Sequence, residues 1–339
     1  MLSLQQSIRQ IISPRMLMVY ILGFVSGFPL AFTASTLQAW LTTSNVSLFS
    51  IGLLTLVGLP YSYKFIWAPL LDRYKIPLPL LTHKCKSWIV VFQLLLAGIL
   101  LFLSKVQPEH HLLLIGIAGL CIATLSASMD VVIDAYRTEY LRDDERGMGA
   151  ASFTFAYRLA MLVSGGAGLI YVDHHGWASF FVLCALIMFV GAFIVCFLSN
   201  TKEQHDSSSS FIAFIVNPFR QFLTRKQALT ILLFIACYKF AEGYILSLAT
   251  TFFLSKIHLS LTQVGVLFKT VSFAGVIVGA YLGGVLLPKI GLYKSLMYFG
   301  IFQASTCLLY VLLAVVGHGY ALTAVTVGLE TMSSGMSTT

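Results

Sequence analysis

The sequence predicts an all-α, polytopic membrane helix bundle with about ten transmembrane helices. Three observations carry that expectation. The chain is 58% hydrophobic and only 10% charged, with mean hydropathy +0.88 over 339 residues, where a soluble domain carries about 25% charged residues. Its apolar runs reach the roughly 20 residues needed to cross a hydrocarbon core. Its Lys and Arg fall almost wholly on alternate connections, the pattern that sets orientation in a membrane.

Span 1 covers 16–41. It follows Arg9 and Arg15, but no charge interrupts the chain from Met16 to Tyr63. That is too long for the apolar core of a signal peptide, so it reads as an uncleaved helix. Spans 2 to 6 follow at 48–71, 88–104, 112–135, 149–171 and 178–198. The longest polar connection comes next, 199–227, with Lys202-Glu203-Gln204-His205-Asp206 and then Ser207 to Ser210. Inside it Phe211, Ile215, Phe219 and Phe222 form one helical stripe, with Arg220, Arg225 and Lys226 on the polar side. The stripe reads either as an interfacial helix or as an ordinary linker. Spans 7 to 10 take 228–254, 263–287, 295–316 and 320–339. The expected layout is a six-helix bundle over 1–198, a cytoplasmic linker over 199–227 and a second, four-helix bundle over 228–339. That is the plan of a two-halved secondary carrier. Gly23 and Gly27, and Gly275, Gly279 and Gly283, recur every four residues, where helices can approach closely.

Charge and cysteine usage exclude several classes. With the N-terminus placed in the cytoplasm, fifteen Lys and Arg lie on inner segments and only Lys105 and Lys256 on outer loops. Topology therefore accounts for the net charge of +8, and no nucleic-acid partner is implied. The six cysteines contain no CxxC pair, so no metal or redox site is expected. The adjacent pairs His110-His111 and His174-His175 cannot share a helix face and read as loop residues. Asp143-Asp144-Glu145 reads as a solvated helix start. There is no His-Glu-x-x-His, Gly-x-Ser-x-Gly or glycine-rich phosphate loop. A membrane-embedded transferase is the weaker rival, a channel weaker still, and no enzyme activity or cofactor is expected.

Seven charges sit inside apolar stretches: Lys64, Asp130, Asp134, Arg158, Lys239, Glu242 and Lys269. Each costs about 2.5–3.5 kcal/mol to insert, so it needs a partner or a watery cavity. Asp130, Asp134 and Arg137 line one face of span 4, with Asp134 near the inner end and beside Arg137. Asp130 lies about 10 Å deep and Lys64 about 12 Å, and Arg158 matches them in depth. The three make either an ionic strut or a functional layer whose carboxylate switches protonation as a cation moves. Lys239 and Glu242 fall near mid-bilayer in span 7, where they either pair with each other or serve transport, with Lys269 in span 8. Glu330 lies near the middle of span 10.

The loop after span 2 reads Lys64-Phe65-Ile66-Trp67-Ala68-Pro69-Leu70-Leu71-Asp72-Arg73-Tyr74, followed by Lys84, Lys86 and Trp88. It resembles the Asp-Arg inner loop of the major facilitator superfamily in the variant of the AmpG muropeptide permeases. The same family is echoed at Gly27-Phe28-Pro29-Leu30, Leu37-Gln38-Ala39-Trp40, Asp130 through Asp134-Ala135, Glu145-Arg146-Gly147 and Tyr157-Arg158-Leu159. Further echoes are Leu162 to Gly166, Pro218-Phe219-Arg220, Tyr238-Lys239 and Gly283-Gly284.

The resemblance implies a twelve-span fold, of which this chain is expected to carry ten. It implies import of N-acetylglucosamine–anhydro-N-acetylmuramyl peptides from periplasm to cytoplasm by proton symport. It places the protein in the bacterial inner membrane, a monomer in the bilayer that serves peptidoglycan recycling and β-lactamase induction. Proton-coupling candidates are Asp130, Glu242 and Glu330. Cargo-binding candidates are Gln38, Trp40, Lys64, Trp67, Arg158, Lys239 and Lys269. Asp72, Arg73, Asp134 and Arg137 are candidates for the conformational clip at the inner face. An acetyl-CoA or other organic-anion carrier is the alternative within the same superfamily.

Overall fold

The computed structural model describes residues 13–77, 83–142, 145–198, 220, 224, 227–317 and 319–337. Among them there is no strand, and a helix stands at each of the ten expected spans. Among the described residues, seven helical stretches are long and apolar enough to cross a membrane. One of them, Ser152–Cys196, runs through two expected spans, 149–171 and 178–198. They part at Gly176, whose φ of +79° is backbone that an L side chain rarely adopts. The expected linker, with most of 199–227, lies outside the described residues, as do Asp143 and Asp144.

Local chemistry starts and stops these helices. Ser13 caps span 1 by accepting the Met16 N–H at 3.3 Å, and Pro14 fills the first turn, where no N–H is needed. Span 8 starts at Leu261 with a reciprocal box between Ser260 and Gln263. Gly291 and Gly317, both at positive φ, flank Leu292–Val316, which is span 9.

Four of the described spans are not the continuous helices expected. Span 2 alternates between α and 3₁₀: Leu48–Leu54, Thr55–Gly58, Leu59–Tyr63, Lys64–Ile66 and Ala68–Arg73. Pro60 and Pro69 each sit near a junction, where their missing N–H breaks the ladder. Span 1 is α over Pro14–Ala31, π-helical over Phe32–Thr36 and α again over Leu37–Thr43, with Pro29 just before the change. Span 5 begins as Arg146–Met161 and turns π-helical over Leu162–Ala167. Span 8 does the same over Leu267–Ser272.

The chain forms two compact units. The first holds residues up to Ala34, Leu54–Ser164 and His175–Gln221; the second holds Ser35–Leu53, Gly165–His174 and Phe222–Thr339. Within the first, spans 1 and 5 meet backbone to backbone. A Cβ on Gly23 would lie 2.6 Å from the Phe153 carbonyl oxygen, and one on Gly27 would strike the Tyr157 carbonyl. Within the second, spans 8 and 10 meet the same way: Gly279 lies against the Met332 carbonyl and Gly335 against that of Val276. Close approach at small residues replaces the water-driven burial that a helix pair lacks in lipid.

Candidate functional site

The site grows from the glycine seam of the first unit. Ser26 lies between Gly23 and Gly27, wholly buried, and its hydroxyl donates to Asp130 Oδ1. Asp130 is itself buried, on Leu112–Tyr140, which is span 4. Its second oxygen, Oδ2, faces Lys64 Nζ at 3.7 Å. Lys64 opens the 3₁₀ turn Lys64–Ile66, and its side chain is 35% exposed against 9% for Asp130. Tyr61 and Tyr157 stand close enough to sense the Asp130 charge, and Tyr61 also faces Ser126 and Thr33. The arrangement is a shielded carboxylate held by a hydroxyl, beside an ammonium that solvent can reach. Chemically it can exchange one cationic partner for another.

One turn along from Lys64, Trp67 is fixed by its indole N–H, which donates to Ser128 Oγ at 2.9 Å. Ser128 passes the chain on to the Thr124 carbonyl at 2.7 Å. The indole is half-buried, so a ring face held in one orientation stands near the ion pair.

The expected layer of three is a layer of two. Lys64 and Asp130 meet, whereas Arg158 is half-buried and makes no ion pair among the described residues. Depth alone does not fix a partner. Successive residues on a helix point about 100° apart, so a matching depth still leaves the direction open.

The inner-loop candidates act differently from a simple Asp-Arg clip. Asp72 and Arg73 are exposed and pair with no described charge. The loop is instead fastened to Lys84–Leu103, span 3, through its backbone. Lys84 Nζ donates to the Asp72 carbonyl at 2.7 Å and the Trp88 indole to the Tyr74 carbonyl at 2.8 Å. Asp134 pairs with Arg137 at 3.1 Å, and the Arg137 guanidinium also lies 4.4 Å over the Phe153 ring. Glu145, the one described member of the acidic triplet, begins its helix and takes Arg15 at 3.2 Å.

Several contacts had no forerunner in the sequence reading. Ser26 is the most important, and its only signal was a hydroxyl between two helix-packing glycines. The buried Lys86 donates from its ammonium to the carbonyls of Cys196 at 3.2 Å and Leu198 at 2.6 Å, capping the end of span 6. His83 lies 3.6 Å from Glu139 and stands edge-on to Tyr136.

In the second unit Gln38 and Trp40 are both buried on Leu37–Thr43. Glu330 is buried on Tyr320–Ser337, near Tyr310. Lys239 falls on Ala228–Ser255 and Lys269 on Leu267–Ser272, with Glu242 one turn from Lys239. The side chains of these three lie outside the described set. Among the described residues no group of His, Cys, Asp and Glu has metal-binding geometry.

Comparison with known proteins gives this geometry its family. The Major Facilitator Superfamily family model matches residues 19–339. An anhydromuropeptide permease of Escherichia coli strain K12 is 36% identical over 335 residues, which is 98% of this chain and 67% of that protein. A putative transporter, AmpG 4, of Rickettsia conorii is 31% identical over 301 residues, 86% of this chain and 72% of its own length. The chain thus spans about two-thirds of the length of the relatives it matches. Among solved structures it resembles a bacterial homologue of the human lysosomal transporter Spinster in an inward-facing, unoccupied conformation. That likeness has TM-score 0.60 at 15% identity, over 95% of this chain and 72% of that one. The occupied form gives 0.59. The chain belongs to the AmpG family of the major facilitator superfamily, a family of multi-pass membrane transporters rather than enzymes.

Proposed function

We propose that this protein carries anhydro-muropeptides from the periplasm into the cytoplasm by proton symport, across a bacterial inner membrane. The name of the Escherichia coli relative supports the cargo. One observation in this chain supports the coupling: a buried Asp130 tethered by Ser26 and facing a more exposed Lys64. A muropeptide brings peptide carboxylates. One of them reaching Lys64 takes the ammonium from Asp130, which is left buried without its counter-charge and accepts a proton in its place. Release of the cargo inside restores the ion pair and frees the proton. Trp67, with its ring orientation fixed, offers an apolar face to a sugar. Arg158, Lys239 and Lys269 offer further cations, and Gln38 and Trp40 an amide and a second aromatic.

In this reading the N-terminus and the 199–227 linker face the cytoplasm and join bundles over 1–198 and 228–339. The protein works as a monomer, with the proton gradient in place of a cofactor. Imported cargo feeds peptidoglycan recycling and, through it, β-lactamase induction.

The test is uptake of labelled anhydro-muropeptide into vesicles, with and without a proton gradient. Asp130→Asn should abolish gradient-driven uptake while counterflow exchange continues, because exchange moves no net proton. Glu242→Gln is the parallel test of the second half. Uptake that ignores the gradient would overturn symport. Uptake of acetyl-CoA but not of muropeptide would assign the chain to the organic-anion alternative.

A further inference from the structure

Spans 9 and 10, both in the second unit, bury a polar seam that the transport cycle proposed above does not use. On Tyr320–Ser337, Thr323, Thr326, Glu330 and Ser333 recur at i, i+3, i+7 and i+10, one narrow face of the helix. On Leu292–Val316, Gln303 and Thr306 lie at i and i+3. All six residues are between 0 and 4% exposed. The two faces meet where Thr306 Oγ1 lies 3.0 Å from Ser333 Oγ.

Hydroxyl protons are short in this seam. Thr323 and Thr326 donate theirs to the carbonyls of Gly319 at 3.0 Å and Leu322 at 2.9 Å. Thr306 and Ser333 are placed to donate to the carbonyls of Gln303 at 2.8 Å and Glu330 at 2.7 Å, and also to each other. Those are three bonds for two protons. With the protons spent on their own helices, what the four hydroxyls offer across the seam is lone pairs. Glu330 adds a carboxyl group. Gln303 adds an amide whose oxygen and nitrogen have no hydrogen-bond partner among the described residues. Buried amides are nearly always partnered, so this one marks a place where something binds.

Size and chemistry narrow the ligand. One turn along span 9 from Thr306, Tyr310 senses the Glu330 charge and packs on Phe252 and Phe253, with ring centroids 6.2 and 6.1 Å away. One turn back from Gln303, the Tyr238 ring fills the space in front of Gly300. A seam buried between two such aromatic layers has room for a water or a bare ion. Its ligands are oxygens, which suit a hard cation. One carboxylate among neutral oxygens balances a single positive charge. A cation meets several lone pairs at once, where a water brings only two protons.

We infer that this seam binds one dehydrated sodium ion, held by the Thr306 and Ser333 hydroxyls and the Glu330 carboxylate, with the Gln303 side chain turning to bring in its oxygen. The ion fastens span 9 to span 10 near mid-membrane, the depth at which carriers bind their coupling ions. No part of the cargo assignment enters, so the failure of either reading leaves the other standing.

The test uses the full chain, purified in detergent without cargo. Thermal unfolding is followed in sodium chloride and in choline chloride at equal ionic strength. Sodium should raise the melting temperature by a constant step for each tenfold increase in concentration, as a ligand of the folded state does. Equal curves in the two salts would overturn the site and leave a water there. Ser333→Ala and Gln303→Leu should each abolish the sodium response while unfolding stays cooperative. Asp173→Asn, at an exposed acid of the same unit, should keep it. A response that survives the first two variants, or is lost with the third, would put the ion elsewhere and overturn the assignment. Where Ser333→Ala does not fold, Ser333→Cys keeps the shape and exchanges a hard ligand for a soft one. It should need roughly tenfold more sodium for the same rise, and an unchanged requirement would overturn the assignment.

Discussion

The two units solve the same packing problem with glycine and then use polar groups differently. In the first unit the seam of Gly23 and Gly27 delivers a serine to a buried carboxylate, and the polar centre is an ion pair. In the second, the seam of Gly275, Gly279 and Gly335 brings spans 8 and 10 equally close. The bonds described in its interior are between neutral hydroxyls, such as Thr306 to Ser333 at 3.0 Å and Thr42 to Thr251 at 3.1 Å. Two acids depart from that pattern: Glu330, which is buried, and the exposed Asp173, which accepts from the Thr262 N–H and hydroxyl. Glycine contact fixes which helices touch. What stands beside the glycine decides whether the contact is inert or can change charge.

That comparison breaks most easily at the second seam. Gly279→Val would push a side chain into the Met332 backbone, which cannot retreat as a rotamer can. A loss of about 3 kcal/mol or more is expected, seen as a large fall in melting temperature in detergent. An unchanged melting temperature would mean the seam is loose and glycine contact is not what fixes the pair.

A smaller effect is expected at the ion pair. Asp130→Ala strands Lys64 and should cost about 2 kcal/mol, below the cost of breaking a fully buried pair because Lys64 is a third exposed. Adding Lys64→Ala should recover part of that loss, with a coupling of about 1 kcal/mol. Strictly additive costs would show that the pair contributes nothing as a pair. Least of all, Thr306→Val should cost only about 0.6 kcal/mol, the average for such bonds between membrane helices. A loss as large as that of Asp130→Ala would erase the distinction between the units.

Legibility in the sequence divides along physical lines. The positions of the spans were readable because length and hydropathy are local properties of the chain. The Lys64–Asp130 encounter followed from depth, even though span 2 is not the continuous helix that the depth estimate assumed. Of the two cations expected near Asp130, Lys64 is the one with a described ion pair; the choice depends on how one helix is rotated against another. Ser26 was unreadable, because nothing on span 1 says which residue of span 4 it will meet. The π turns were invisible too. A single inserted residue scarcely alters apolar periodicity in a helix that is apolar all round. The side chains of Lys239, Glu242 and Lys269 lie outside the described residues, so their part of the site remains a proposal.

The buried lysine of span 3 constrains how the molecule is born. Lys86 finds two of its acceptors on Cys196 and Leu198, 110 and 112 residues further along the chain. A ribosome adding about 5–20 residues per second needs roughly 5–20 s to make that stretch. Through that interval those two carbonyls have yet to be made, so this part of the Lys86 contact waits for span 6. One contact at the end of span 6 thus ties together parts of the chain made well apart in time.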